Sequence, residues 1–190
     1  AYDILSKAVD EAVQAGIVVV VAAGNEGDSS DYATINSPAS GREVITVGAS
    51  NGSSEIAYFS SHGPSTDFIM DPDVVAPGVR IYAPLAEGSV LKNAYNAISG
   101  VYLSDYISLS GTSMAAPVVS GAVALLKQAF PDARPEVFRA ALQESAITID
   151  PVDPYIQGNG LINVDKAYQL LQSTKEVSGY DIISVEPRNS

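Results

Sequence analysis

The sequence has no cysteine, no tryptophan and a single histidine, His62, among 190 residues. Without cysteine there are no disulfides, no thiolate catalysis and no cysteine-ligated structural zinc. One histidine argues against a histidine-built metal site. Basic residues are scarce: 10 Lys and Arg stand against 22 Asp and Glu, a net charge of −12. Such a field repels a phosphate backbone, so nucleic acid is not an expected partner. The acidic residues are dispersed, which favours solubility and is compatible with calcium binding. No apolar run reaches the roughly 18 residues of a membrane-spanning helix. The longest, Gly16 to Gly24, is strand-sized, and Ala1-Tyr2-Asp3 lacks the basic start of a secretory signal.

What remains is a globular composition, 46% hydrophobic and 17% charged, enough for one domain or a large part of one. Ser6 to Gly16 has helical periodicity, with Ala8, Val9, Ala12, Val13 and Ala15 as its apolar face. Ile17 to Ala23 is apolar without alternation, the pattern of a strand buried on both faces. Val44 to Val47 reads as a second buried strand. Val74 to Ile81 reads as two short extended pieces around a turn. Met114 to Phe130 is apolar nearly all round, which predicts a central helix. Pro117 is tolerated in a first turn, so that helix is expected to start near Ser113. Pro135 to Glu144 and Val164 to Gln172 are further helices, the last capped by Asn163. Buried strands alternating with helices predict an α/β fold with a mainly parallel sheet.

Two segments carry chemistry. In Ser110-Gly111-Thr112-Ser113-Met114-Ala115-Ala116-Pro117, a serine lies between a tight turn and a buried helix. There, unpaired N–H groups and the helix dipole favour negative charge. An acyl-transfer nucleophile belongs in such a place, because its tetrahedral intermediate carries an oxyanion. In Val18 to Gly27, Asn25 follows the carboxyl end of a buried strand, the edge where α/β sheets place their sites. Its amide can donate to that oxyanion. Taken singly, Ser113 could be a helix cap and Asn25 a turn residue. Neither account covers both.

On these motifs the chain resembles the subtilisin-like serine proteases, or subtilases. Gly111-Thr112-Ser113-Met114-Ala115-Ala116-Pro117 is similar to the family's nucleophile motif, and Val19 to Gly27 to its oxyanion-asparagine segment. Ala57 to Pro64, Asp73 to Val79 and Gly158 to Val164 match three further family segments in order. The resemblance covers nearly the whole chain up to Leu171. It implies a three-layer subtilisin-like fold, of which this is the C-terminal half, and serine endopeptidase activity. It implies Ser113 as nucleophile, with Asn25 and the Ser113 N–H as the oxyanion hole. It implies a substrate-binding set of Ala22, Ala23, Gly24, Glu26, Asn36 and Thr112, and a cis bond at Ser37-Pro38. No cofactor is needed for the chemistry and no metal ligand is assigned. Structural calcium near Glu26, Asp28 and Asp31, or near Ser37 to Gly41 and Asn51, is compatible with the resemblance.

The family's aspartate and histidine motifs do not occur. His62 sits at the variable position of its loop, and no motif-matched aspartate orients it, so it is not expected to replace the histidine. The chain alone is expected to be inactive, and its partners are a polypeptide substrate and the missing N-terminal half. Half a parallel sheet would expose an edge and an apolar face. The expected organisation is residues 1–172 as half a catalytic domain, with an insertion at about 87–109, and 173–190 as a linker or the start of another domain. The expected setting is secreted or cell-envelope. A non-catalytic subunit or interaction module derived from a subtilase is the alternative. An α/β-hydrolase esterase is disfavoured, because the serine context is not a G-x-S-x-G elbow.

Overall fold

The computed structural model describes residues 3–28, 31–52, 55–65, 68–93 and 105–178. Helix α1 spans Ile4–Gln14, followed by strands β1 Val20–Ala22, β2 Ile45–Ser50, β3 Val74–Pro77, β4 Ile81–Pro84 and β5 Tyr106–Leu109. Helices α2 Thr112–Ala129, α3 Pro135–Ser145, α4 Pro154–Gln157 and α5 Val164–Ser178 complete the chain. Strands β1, β2 and β3 form a parallel sheet in that order, with Val20 opposite Ile45 and Val47 opposite Val74. β4 and β5 form a separate antiparallel ribbon. The fold is thus the three-layer α/β type with a mainly parallel sheet.

Every residue of β2 is buried, as a central strand covered on both faces requires. β1 differs from expectation. It is shorter than Ile17 to Ala23, is only half-buried, and Ile17 is 58% exposed. Among the described residues β1 pairs on one side only, with β2, whereas the other outer strand, β3, is bridged at Val75 by Leu161 and stays buried.

α2 lies across all three sheet strands. Its Ala115, Val119, Val123 and Leu126 pack with Val47, Ala49, Val74 and Ala76, and with Phe138, Leu142 and Leu171 from α3 and α5. The helix is not buried all round as its composition predicts. Ser113, Pro117, Ser120, Gly121, Ala124 and Leu125 face solvent. It also starts at Thr112, which puts Pro117 in its second turn. A proline there has no N–H to donate to the Ser113 carbonyl.

α1 packs by its polar residues. Ser6, Asp10 and Val13 are buried, whereas Ala8 and Ala15 are exposed. The Asp10 carboxylate accepts from the Arg42 and Glu43 N–H groups, and the Ser6 hydroxyl meets that of Ser40. Those partners outweigh the apolar periodicity. α3 begins at Pro135 as expected, and Asn163 caps α5 through the Lys166 N–H. α5 runs past Gln172 to Ser178, with Thr174 buried, so the expected boundary at 172 falls inside a helix. Much of the expected insertion and tail, 94–104 and 179–190, lies outside the described residues. Among the described residues no helix is long and apolar enough to cross a membrane.

Candidate active site

The carboxyl end of β1 and the amino end of α2 meet. Gly78 makes this possible: its N–H is bonded to the Ser50 carbonyl, and its carbonyl accepts from the Gly111 N–H at 2.8 Å. A side chain at Gly78 would stand 2.8 Å from the Gly111 oxygen and 2.8 Å from the Ala49 methyl. Only glycine allows that approach. It seats the turn before Ser113 directly on the sheet edge.

Thr112 then joins the two segments. It is fully buried. Its backbone N–H donates to Asn25 Oδ1 at 3.0 Å. Its Oγ1 lies 3.1 Å from the same Oδ1, 3.2 Å from the Gly24 carbonyl and 3.3 Å from the Gly24 nitrogen. A backbone N–H can only donate, so the atom facing it is the amide oxygen. Asn25 Nδ2 therefore keeps both protons, and none of them meets an acceptor among the described residues. The Asn25 amide lies close to the turn, with Nδ2 and Oδ1 each 3.7 Å from where a Gly111 side chain would begin. Thr112, expected to touch substrate, is too buried to do so in this state; it bears on the site through Asn25.

Ser113 is exposed at the start of the 18-residue α2, and none of the described residues bonds its hydroxyl. Of the first N–H groups of α2, that of Thr112 meets Asn25 and those of Met114 and Ala115 meet the Gly111 carbonyl, which leaves the Ser113 N–H, the Ser113 hydroxyl and the Asn25 carboxamide donors. That combination can attack a carbonyl and stabilise the resulting negative oxygen.

The segment Phe59 to Ser61 braces the other side. The Ser61 N–H donates to the Gly24 carbonyl at 3.0 Å, and the Gly27 N–H to the Phe59 carbonyl at 2.9 Å. Ser61 Oγ donates to Glu26 Oε2 at 2.8 Å and accepts from the Glu26 N–H at 3.1 Å. The buried Ser60 Oγ accepts from the Ala49 N–H at 3.0 Å. These serines were visible in the sequence as part of a matched segment, but without a role. Ala22 and Gly24 are half-buried beside Asn25, and Ala23 is buried against Ile35 and Ala39. Asn36 is exposed and donates from Nδ2 to the Thr34 carbonyl. It precedes a cis Ser37-Pro38 bond.

The His62 ring meets Asp31 and Tyr32. Its Nδ1 is 3.2 Å from the Asp31 carbonyl and its ring faces that of Tyr32. Among the described residues no three His, Cys, Asp or Glu side chains are arranged to hold a metal ion. Below the site, Asp3 ties α1 to the Asn36–Pro38 turn by accepting from Ser37 Oγ at 2.6 Å. The Ser37 and Ser6 hydroxyls hold its carboxyl well below the usual carboxylate range.

The sequence profile of the subtilase family matches residues 2–173. The chain belongs to the subtilase family. This subtilase chain is 39% identical over 172 residues to serine protease AprX of Bacillus subtilis (strain 168), covering 87% of itself and 38% of that protein. It is 38% identical to subtilisin DY of Bacillus licheniformis, covering 87% of itself and 52% of that protein. It therefore spans about half or less of the length of these relatives. Among solved structures, the self-cleaved protease domain of PatA matches with a TM-score of 0.69 at 28% identity, over 91% of this chain and 57% of that one. Fervidolysin from Fervidobacterium pennivorans, a keratinolytic enzyme related to subtilisin, matches with a TM-score of 0.67 at 34% identity, over 86% and 24%.

Proposed function

We propose that this subtilase chain carries the nucleophile and oxyanion-binding groups of a serine endopeptidase, and that a companion half of the catalytic domain supplies histidine and aspartate. The observation that carries the reading is the Asn25 amide, locked by Thr112 with its donors free beside the Ser113 turn. In the reaction, Ser113 Oγ adds to the scissile carbonyl carbon of a polypeptide and its proton passes to the companion histidine. The negative oxygen is held by the Asn25 Nδ2 and Ser113 N–H groups. The amine leaves with that proton, and water releases the acyl group from Ser113 by the same route. Ala22, Gly24, Glu26 and Asn36 line the substrate side, with Ala23 buried behind them. The setting is secreted or cell-envelope.

Two features support a companion half. The chain's only histidine is engaged with Asp31 and Tyr32, and none of the described residues bonds the Ser113 hydroxyl as a base would. A stripe of α2 from Ser113 through Pro117 and Gly121 to Leu125 is exposed, and among the described residues β1 pairs on one side only. Ile4, Leu5 and Ile17 are exposed as well. Apolar surface of this kind favours burial. An element that covered the stripe would stand next to Ser113, where the base is needed.

The test is peptide hydrolysis by the chain alone and by the complete enzyme that contains it, each with Ser113→Ala beside it. The reading expects cleavage of casein and peptide substrates by the complete enzyme only, abolished by Ser113→Ala. Activity that survives Ser113→Ala, or that cleaves small esters but no peptide, refutes it.

A further inference from the structure

The loop between Asn25 and Ile35 is held at both ends. Near Asn25, the Gly27 N–H bonds the Phe59 carbonyl and the Glu26 N–H bonds Ser61 Oγ. Near Ile35, the Ala33 N–H donates to the Gly63 carbonyl at 3.0 Å and the Thr34 N–H to the His62 carbonyl at 2.9 Å. The His62 N–H returns a bond to Thr34 Oγ1 at 2.8 Å. The outer arm between these anchors carries Tyr32, a half-exposed aromatic that the sequence did not single out.

Tyr32 reaches across to a segment more than a hundred residues away. Its hydroxyl donates to Asp153 Oδ2 at 3.1 Å. Its ring stands edge-on to Tyr155, with centroids 6.2 Å apart, and tilted against His62 at 6.1 Å. Asp153 is itself fixed, because its Oδ1 caps α4 by accepting from the Tyr155 N–H. The Tyr155 carbonyl accepts from the Gly63 N–H at 2.7 Å. The Asp31 carbonyl can only accept, so His62 Nδ1 carries a proton toward it. Three remote segments, 31–34, 61–63 and 153–155, are thus closed into one ring of contacts. Its middle segment continues directly from Ser61, which holds Gly24 and Glu26.

We propose that Tyr32 is a positioning residue for substrate binding: by fastening the outer arm of this loop to Asp153 it fixes where Glu26 and the rest of the pocket rim stand. The inference rests on the reading that this loop lines the substrate side. Tyr32 touches no reacting atom, so it acts on binding and not on the oxyanion step. Its phenol proton is the one shared with Asp153, and that carboxylate keeps the phenol protonated above its ordinary range. The fastening therefore holds through neutral and mildly alkaline pH.

The experiment compares Tyr32→Phe and Tyr32→Ala with the unmutated protein. Phenylalanine keeps the ring contacts and removes only the bond to Asp153. Amide hydrogen exchange is followed at Ala33 and Thr34, and KM and kcat are measured on peptides in the complete enzyme. In Tyr32→Phe the two amides are expected to exchange about twofold to tenfold faster, the reach of one modest hydrogen bond. KM is expected to rise over the same range with kcat within about twofold, the signature of lost binding common to ground and transition states. Tyr32→Ala should exceed both effects. Unchanged exchange in both variants overturns the fastening, whatever the activity. Faster exchange with unchanged KM, or with a fall in kcat alone, overturns the role in binding. Inactivity of the unmutated complete enzyme sinks the hydrolase reading and, with it, the role in binding; the exchange result still decides the fastening.

Discussion

Thr112 and Asn25 are locked together across 87 positions of sequence: one amide oxygen accepts from both the backbone N–H and the hydroxyl of Thr112. That bond pair fixes which end of the Asn25 amide faces Thr112 and leaves its N–H groups without an acceptor among the described residues. Replacing Thr112 by Val should keep the backbone bond and lose the hydroxyl. A fall in kcat of about threefold to thirtyfold is expected in the complete enzyme, from one lost hydrogen bond at the site. Thr112→Ser should restore most of it. Equal kcat for Val and Thr would show that the backbone bond alone orients Asn25.

Asn25→Ala removes the donor proposed for the oxyanion. In subtilisin, a member of this same family, losing that kind of donor costs about 10²–10³ in kcat. The same range is expected here, with KM little changed. A large rise in KM with kcat intact would instead make Asn25 a substrate-binding group.

A buried ion pair anchors the sheet behind the site. Asp73 accepts from Arg139 Nε at 3.1 Å, from Gln143 Nε2 at 2.6 Å and from the Thr46 N–H at 2.7 Å. Arg139 also donates to the Arg42 carbonyl. Removing one partner strands the other charge in the core, so Asp73→Ala should destabilise by about 3–5 kcal/mol in chemical denaturation. Exchanging both partners for apolar residues of similar size should cost less. Equal losses from the single and double changes would mean that packing, not the stranded charge, sets the cost.

Asp3 predicts a pH dependence of definite sign. Its carboxyl is depressed in the folded state by the Ser37 and Ser6 hydroxyls. A depressed carboxylate adds stability above its unfolded value, about pH 3.9, and loses it as pH falls through the folded value. The difference in melting temperature between the natural protein and Asp3→Asn should be constant from pH 7 to about pH 5 and shrink below about pH 4. A difference that grows on acidification would contradict the assignment.

The exposed stripe of α2 offers a test of the companion half. A side chain built on Gly121 would meet nothing within 4 Å. Gly121→Leu should therefore leave this chain's own secondary structure intact by circular dichroism, while it blocks activity in the complete enzyme. Full activity would mean that the covering element lies elsewhere.

What the sequence showed depended on distance along the chain. Local signals were legible: Pro135 at a helix start, the Asn163 cap, and the apolar run of β2. The segments around Ser113 and Asn25 stood out because their motifs are short and specific. The inward face of α1 was not, since Ser6 and Asp10 turn inward only for partners at Ser40, Arg42 and Glu43. The half-buried state of β1 and α2 was hidden too, because composition reports what a segment can bury and not what is present to cover it. Thr112 was assigned to substrate binding because its place in the motif shows nearness to Ser113, and not that its hydroxyl turns inward to Asn25. Tyr32 gave no signal, because Asp153 lies 121 residues on.

The central claim is that Ser113 is a nucleophile whose base comes from outside this chain. Labelling with a fluorophosphonate, followed by peptide mapping, tests it most directly. No rapid adduct is expected on the isolated chain, and a rapid one on Ser113 in the complete enzyme, lost in Ser113→Ala. Rapid labelling of Ser113 in the isolated chain, or labelling of another serine in the complete enzyme, would contradict it.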